Sequence, residues 1–299
     1  MRADPTYINS LTQSLNNAAG RANDLSGQLS SGLRVGTLSD DPVAASTSVS
    51  MGSQISLIDS FVQNASSEAS MMQTTDSTLG EVVTQLTSAI TLAVGAANDT
   101  NNSANLQAVL QQATGIRDQV LSLANSSYQG TYLFAGSHGN AAPFSLDSST
   151  TPATVNYAGD SNVQYIVTPG GQKIQTNLPG TSIFGSGSSG VLAVLNQFVA
   201  DLSSSAGSSA LQADSAALKD ALDTVSTQRS LLNGSLSTLN STSTYAQTQE
   251  AQLKAAQTTL VSADSAQIAT DLKSNQTQYE ALLSVISSLN STNLFDYLK

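Results

Sequence analysis

The chain contains no cysteine, no tryptophan and a single histidine in 299 residues. The missing cysteine excludes disulfides, thiolate nucleophiles and cysteine-ligated zinc. It also suits an exported protein that avoids oxidative cross-linking. Charge is sparse as well: Asp, Glu, Lys and Arg together make up 10% of the chain, and ten basic residues stand against 21 acidic ones for a net charge of −11. The basic residues are scattered, from Arg2 and Arg21 to Lys273 and Lys299. Affinity for nucleic acid rests mostly on clustered Lys and Arg, so no nucleic-acid partner is expected, and anionic membranes are disfavoured for the same reason. No stretch reads as apolar enough to span a bilayer, so no membrane partner is expected. No cleavable secretion signal is visible, because Met1–Asp4 leads directly into an amphipathic segment. Export, if it occurs, is expected to use a route without a cleaved signal.

What is present is 39% apolar residues, too many for compositional disorder, set among Ser, Thr, Ala, Asn and Gln. Both ends carry apolar residues in steps of three and four. At the start these are Ile8, Leu11, Leu15, Ala18, Ala22, Leu25 and Leu29. At the end they are Leu272, Tyr279, Leu282, Ile286 and Leu289, with Asn275 as a polar exception and Phe295 and Leu298 in an apolar tail. Such a rhythm makes a narrow seam that needs a partner helix. The ends are therefore expected to pair with each other, with other subunits, or with both. The assembly residues on this reading are Ile8, Leu11, Leu15, Leu25, Leu29, Leu272, Tyr279, Leu282, Ile286, Leu289, Phe295 and Leu298. Little else is available for these helices to bury, so they are expected to be marginal until assembled.

Punctuation divides the rest. A first helix is predicted from about Pro5 to Gly32, with Asp4-Pro5 as its start. Ser39-Asp40-Asp41-Pro42 reads as a turn and cap: Asp41 can accept free amide hydrogens, and Pro42 fits the first helical position. A second helix of roughly 80 Å follows to Val94, at about 1.5 Å per residue, with a seam through Met51, Ile55, Ile58, Val62, Ala65, Ala69, Met72, Leu79, Val83, Leu86, Ile90 and Ala93, interrupted at Asp76. A third is predicted near 103–127. From Gly130 the pattern changes to short alternating runs around Thr131–Phe134, Val155–Tyr157 and Val163–Val167, separated by Gly159-Asp160 and Pro169-Gly170-Gly171 turns. Helical rhythm resumes at Val191 and continues through Leu218, Leu222, Val225, Leu232, Leu236, Leu239, Ala246, Leu253 and Leu260, with Arg229, Ser243, Glu250 and Gln257 as polar seam residues. Polar residues in a seam lower stability but fix register.

The expected fold is mainly α with a small β-rich insert, a long antiparallel helical rod or coiled coil built from the N- and C-terminal parts. Three domains are expected: residues 1–40 with 263–299, residues 41–133 with 186–262, and a β-rich outward domain over 134–185.

The motifs Leu29-Ser30-Ser31-Gly32-Leu33-Arg34-Val35 and Ser39-Asp40-Asp41-Pro42-Val43-Ala44-Ala45 resemble the bacterial flagellin family. Gly130-Thr131-Tyr132-Leu133-Phe134-Ala135-Gly136, Asp264-Ser265-Ala266 and Leu294-Phe295-Asp296-Tyr297-Leu298 look like the family's hook–filament junction members. The chain departs from the family in its less charged first helix and in Leu33, where a Lys is frequent. The resemblance implies a structural component of the bacterial flagellum that joins hook to filament by self-assembly of its terminal helices. It implies as partners neighbouring copies, the preceding hook-associated junction protein, the flagellin side of the filament, and a FlgN-type export chaperone at the C-terminal region. It also implies type III export and an extracellular location. The alternatives are filament flagellin and a secreted adhesin with a glycan-binding β insert.

No catalytic, metal or cofactor site is expected. Asp40-Asp41 as an acid–base pair is outweighed by the cap reading. His138 shows no sequence neighbours suited to a triad or a metal site. Phe144, Tyr157 and Tyr165 are read as β-domain core rather than a ligand cage. Arg34 is read either as a contact to a neighbour or as a solvated loop residue.

Overall fold

The structure, a computed structural model, describes residues 5–98 and 103–295, with side chains over 6–98 and 103–288. The fold is mainly α with a small β-rich insert. Among the described residues its elements are helices α1 (Pro5–Ser31), α2 (Pro42–Ala96) and α3 (Ser103–Ala124), six strands, and helices α4 (Val191–Ser203), α5 (Ser208–Val261) and α6 (Ser265–Phe295). The strands are β1 (Ser127–Tyr128), β2 (Thr131–Tyr132), β3 (Phe144–Asp147), β4 (Thr154–Tyr157), β5 (Tyr165–Val167) and β6 (Lys173–Gln175). They pair antiparallel as β1–β2, β3–β4 and β5–β6. Two compact units result: Met1–Ser56 with Gln249–Lys299, and Leu57–Thr248.

In the second unit the core of α2 repeats every seven residues. Ile58, Ala65, Met72, Leu79, Leu86 and Ala93 are buried, and so are Phe61, Thr75, Val82, Ala89 and Ala96. The sequence reading set the second stripe one residue too late, at Val62, Val83 and Ile90. Those side chains are only half-buried, because the helix turns the residue before each of them, Phe61, Val82 and Ala89, to the inside, while Ala69 on the expected stripe is buried. On α5 the same period holds through Leu211, Leu218, Val225, Leu232, Leu239 and Ala246.

One expectation fails outright. Helix α2 contains an 18-residue window of mean hydropathy 1.3, long and apolar enough by itself to cross a membrane. A third of that window is buried inside the protein, as the seven-residue core stripes of a packed helix require.

The β segment begins at Ser127, before the Phe134 expected from sequence. A two-residue turn, Gln129-Gly130, closes the first hairpin with both residues at left-handed φ, 50° and 84°. Its core is aromatic. Phe134 meets Phe184 edge-on at 5.0 Å, Phe184 meets Phe144 at 5.4 Å, and Phe144 meets Tyr157 at 4.8 Å. Asn125, just past α3, pairs with the Phe144 backbone in both directions at 2.9 Å and so acts as an extra strand residue. Phe144 is buried and Tyr157 half-buried, in line with a core role. Tyr165 departs from that reading: it is 54% exposed, because it alternates with the inward Ile166 on a strand paired on one side only.

Candidate assembly surfaces

Within the first unit, α1 packs against α6. Leu11 and Ala18 on α1 and Ile268 and Asn275 on α6 are buried. Asn275, the polar exception of the C-terminal seam, donates its amide to the Ala18 carbonyl at 3.0 Å. A buried amide left without an acceptor costs about 1–3 kcal/mol, so this contact fixes where the two seams meet. Of the other expected seam residues, Leu15, Leu25, Leu272, Tyr279, Leu282 and Ile286 are half-buried, while Ile8 and Leu29 are exposed. Leu289 and Phe295 lie on α6 beyond the described side chains, and Leu298 lies outside the described residues.

The loop between α1 and α2 sits on the break between α5 and α6. Leu33 and Ser262 form an antiparallel bridge, the Arg34 amide donates to the Val261 carbonyl at 2.8 Å, and the Ala263 amide donates to Gly32 at 2.9 Å. The Arg34 guanidinium reaches the Leu260 carbonyl at 3.0 Å and Asp41 at 3.2 Å. Arg34 is thus tied within the chain.

Asp40 and Asp41 do separate jobs. Asp40 accepts the Gly36 and Thr37 amides at 2.9 and 2.7 Å, and Ser39 pairs with Thr37 through their hydroxyls at 2.8 Å. Asp41 accepts the Ala44 amide at 3.0 Å and caps α2, with Pro42 in its first turn. The Thr37 amide, then that of Gly36, holds the Asp40 carboxyl below its usual range. The Ala44 amide, then the Arg34 guanidinium, does the same for Asp41. At the start of α6, Asp264 accepts the Ala266 and Gln267 amides at 3.0 and 3.1 Å.

Apolar side chains outside the three–four rhythm add to the exposed surface of this unit. Leu38, Val43 and Val49 are 66%, 76% and 74% exposed, and Leu283 and Val285 are exposed on α6. Sequence reasoning missed them because they occupy no heptad position. Their signal was that they are large and aliphatic away from the seam, Leu38 in the loop before α2 and the others on the helices.

Two acidic groups stand out in the second unit, Asp160 and Asp214. Asp160 accepts the Ser137 amide and hydroxyl, the Asn162 amide and side chain, and lies 3.1 Å from His138 Nδ1. The Ser137 hydroxyl, ahead of its amide, pulls the Asp160 carboxyl down to about 2. His138 therefore has a carboxylate partner that its sequence neighbours did not reveal. The carboxylate stands between Ser137 and His138, whereas a hydrolytic relay needs the imidazole between the other two. Gly136, with φ of 67°, is required here, since a Cβ would lie 2.4 Å from the Asp160 backbone carbonyl.

Asp214 on α5 is buried, and its Oδ2 has no hydrogen-bond partner. Burial, then the neighbouring Asp201 charge, pushes its carboxyl up to about 7 from an ordinary 3.8. Between those pH values the folded chain holds a proton that the unfolded chain releases. The stability of this unit is therefore expected to fall as pH rises from about 4 to about 7, and to stay at the lower level above that. Asp214→Asn should raise the thermal midpoint at pH 8, with a ceiling of about 4 kcal/mol, and change little at pH 4. An unchanged midpoint at pH 8 would contradict this.

Against known proteins, the bacterial flagellin N-terminal helical region matches residues 6–139 and the flagellin C-terminal helical region matches residues 216–298. The chain belongs to the bacterial flagellin family. Flagellar hook-associated protein 3 of Salmonella typhimurium is 38% identical over 125 residues, which cover 39% of this chain and 37% of that protein. The matched stretch thus spans little more than a third of that relative. Flagellar hook-associated protein 3 of Escherichia coli is 29% identical over 238 residues, covering 72% of this chain and 73% of that protein. In fold, the chain resembles the crystal structure of flagellar hook associated protein-3 from Legionella pneumophila, with a TM-score of 0.62, 15% identity, and coverage of 70% of this chain and 98% of that one.

Proposed function

We propose that this protein is a structural component of the bacterial flagellum that joins hook to filament. The observation that carries this reading is the length of the Escherichia coli match: a stretch covering 72% of the chain must include the whole β segment between the two helical regions. That support goes beyond the helical regions shared across the family. Assembly uses the terminal helices, whose seams remain partly uncovered in the single chain. The exposed Leu38, Val43, Val49, Leu283 and Val285 give neighbouring copies further apolar surface.

On this reading residues 1–40 with 263–299 form the assembly domain, 41–133 with 186–262 a helical domain, and 134–185 an outward β domain. The partners are copies of the same chain, the preceding hook-associated junction protein, the flagellin side of the filament, and a FlgN-type export chaperone. The chain leaves the cell by type III export and acts outside it. It performs no catalysis, and its work is to present matched surfaces.

The test is deletion of the gene in the source organism. Hooks without filaments, with flagellin shed into the medium, are expected. Normal filaments would refute the junction reading. Hooks with no flagellin made would point instead to this chain being the filament subunit.

A further inference from the structure

The seven-residue repeat creates a problem that the apolar core does not solve. Within the second unit α5 buries an aliphatic residue every seven positions, at Leu211, Leu218, Val225, Leu232 and Leu239, and α2 has buried residues at the same spacing, at Ile58, Ala65, Met72, Leu79 and Leu86. Sliding one helix past the other by seven residues exchanges Leu for Leu or Val at nearly every core position on α5. Burial alone therefore distinguishes poorly between the observed pairing and its neighbours.

Three polar residues do distinguish them. Asp76 on α2 takes a two-pronged pair from Arg229 on α5, Nε to Oδ1 at 2.7 Å and Nη2 to Oδ2 at 3.1 Å. Asn233, one turn on, donates to the same Oδ1 at 2.9 Å. The guanidinium lies over Gly80, where a Cβ would come within 3.3 Å of Nη2, so the absence of a side chain at that position makes room for it. The Arg229 guanidinium, then Asn233, holds the half-buried Asp76 carboxyl below its usual range despite burial. A slip of seven residues would set Leu222 and Ser226, or Leu236 and Asn240, in the places of Arg229 and Asn233. It would also set Ala69 or Val83 in the place of Asp76. Either way a half-buried charge loses its partner.

We infer that Asp76, Arg229 and Asn233 select the register of α2 against α5 within the second unit, the one feature that a leucine-every-seven seam leaves open there. The trio is a specificity device rather than a source of stability, since a desolvated ion pair roughly breaks even against apolar residues of similar volume. This inference does not depend on the junction reading.

The chain lacks cysteine, so spin labels can be placed cleanly through Ser88→Cys and Ser237→Cys, both exposed and offset along the two helices. The full-length protein is unfolded in denaturant, refolded, and measured by electron–electron distance spectroscopy. The unaltered trio should give one distance. Asp76→Leu with Arg229→Leu should keep the helical signal and the thermal midpoint, yet add populations shifted by about 10 Å, one seven-residue step at about 1.5 Å per residue. A single unshifted distance in that folded double variant would overturn the inference. Should the double variant fail to fold, Arg229→Lys, which keeps the charge and loses the fork, is the second probe. It should retain the single distance at the start of refolding less completely than the unaltered protein, and identical distributions would overturn the inference as well.

Discussion

A single aspartate at Leu15 or at Leu282 is expected to prevent incorporation into the flagellum while leaving the second unit folded. Both leucines are half-buried on α1 and α6, whose mutual core is narrow: Leu11, Ala18, Ile268 and Asn275 are its fully covered members among the described side chains. A carboxylate forced into such a seam costs about 2–4 kcal/mol, which lowers the ordered, assembly-competent fraction by about 30-fold to 1,000-fold. Residues 57–248 have their own core around Met72, Leu79, Phe134, Phe184 and Leu218, so their melting transition should not move. The measurement pairs sedimentation of polymerised protein with circular dichroism of the monomer. Normal assembly by both variants would show that the terminal seams are dispensable.

Much of this was legible in the residues because helical seams and caps are local. The three–four rhythm located α1 and α6, and Asp41-Pro42 located the start of α2 to the residue. The polar interruptions Asp76, Arg229, Gln257 and Asn275 stood out in sequence as exceptions. What sequence could not supply was their partners. Asp76 and Arg229 are 153 residues apart, and Gln257 donates to the Ser48 carbonyl at 2.9 Å from 209 residues away. Two exceptions on different helices become one contact only when the chain's return path sets their heights. The same limit explains the mislaid second stripe of α2. Val62 and Val83 are as apolar as a core position asks for, yet the buried positions are their neighbours Phe61 and Val82, and side-chain character alone does not say which of two adjacent apolar residues faces inward. Tyr165 was misjudged for a related reason: alternation identifies two faces of a strand, but which face is covered depends on elements distant in sequence. His138 gained its carboxylate partner, Asp160, through a turn that periodicity does not describe.

Replacing Phe134 by Ala is expected to cause the largest loss of stability of any single change in the β segment. Its ring is fully buried edge-on to Phe184, and its carbonyl accepts both the Tyr157 hydroxyl at 2.9 Å and the Gly180 amide at 3.0 Å. The side chain and the backbone of one residue therefore hold β2, β4 and the turn before α4 together. Truncation to Ala removes the transfer energy of the ring and leaves a cavity, about 3–5 kcal/mol together, part of it the edge-on aromatic pair. For a unit of this size each kcal/mol moves the midpoint by about 2–4 °C, so a fall of at least about 6 °C is expected. Protease should then make new cuts within 127–190, while α1 and α6 keep their cleavage pattern. Phe134→Leu, which refills most of the volume, should recover more than half of the loss. A midpoint within about 2 °C of the unaltered protein would mean that the aromatic cluster does not hold the β segment together.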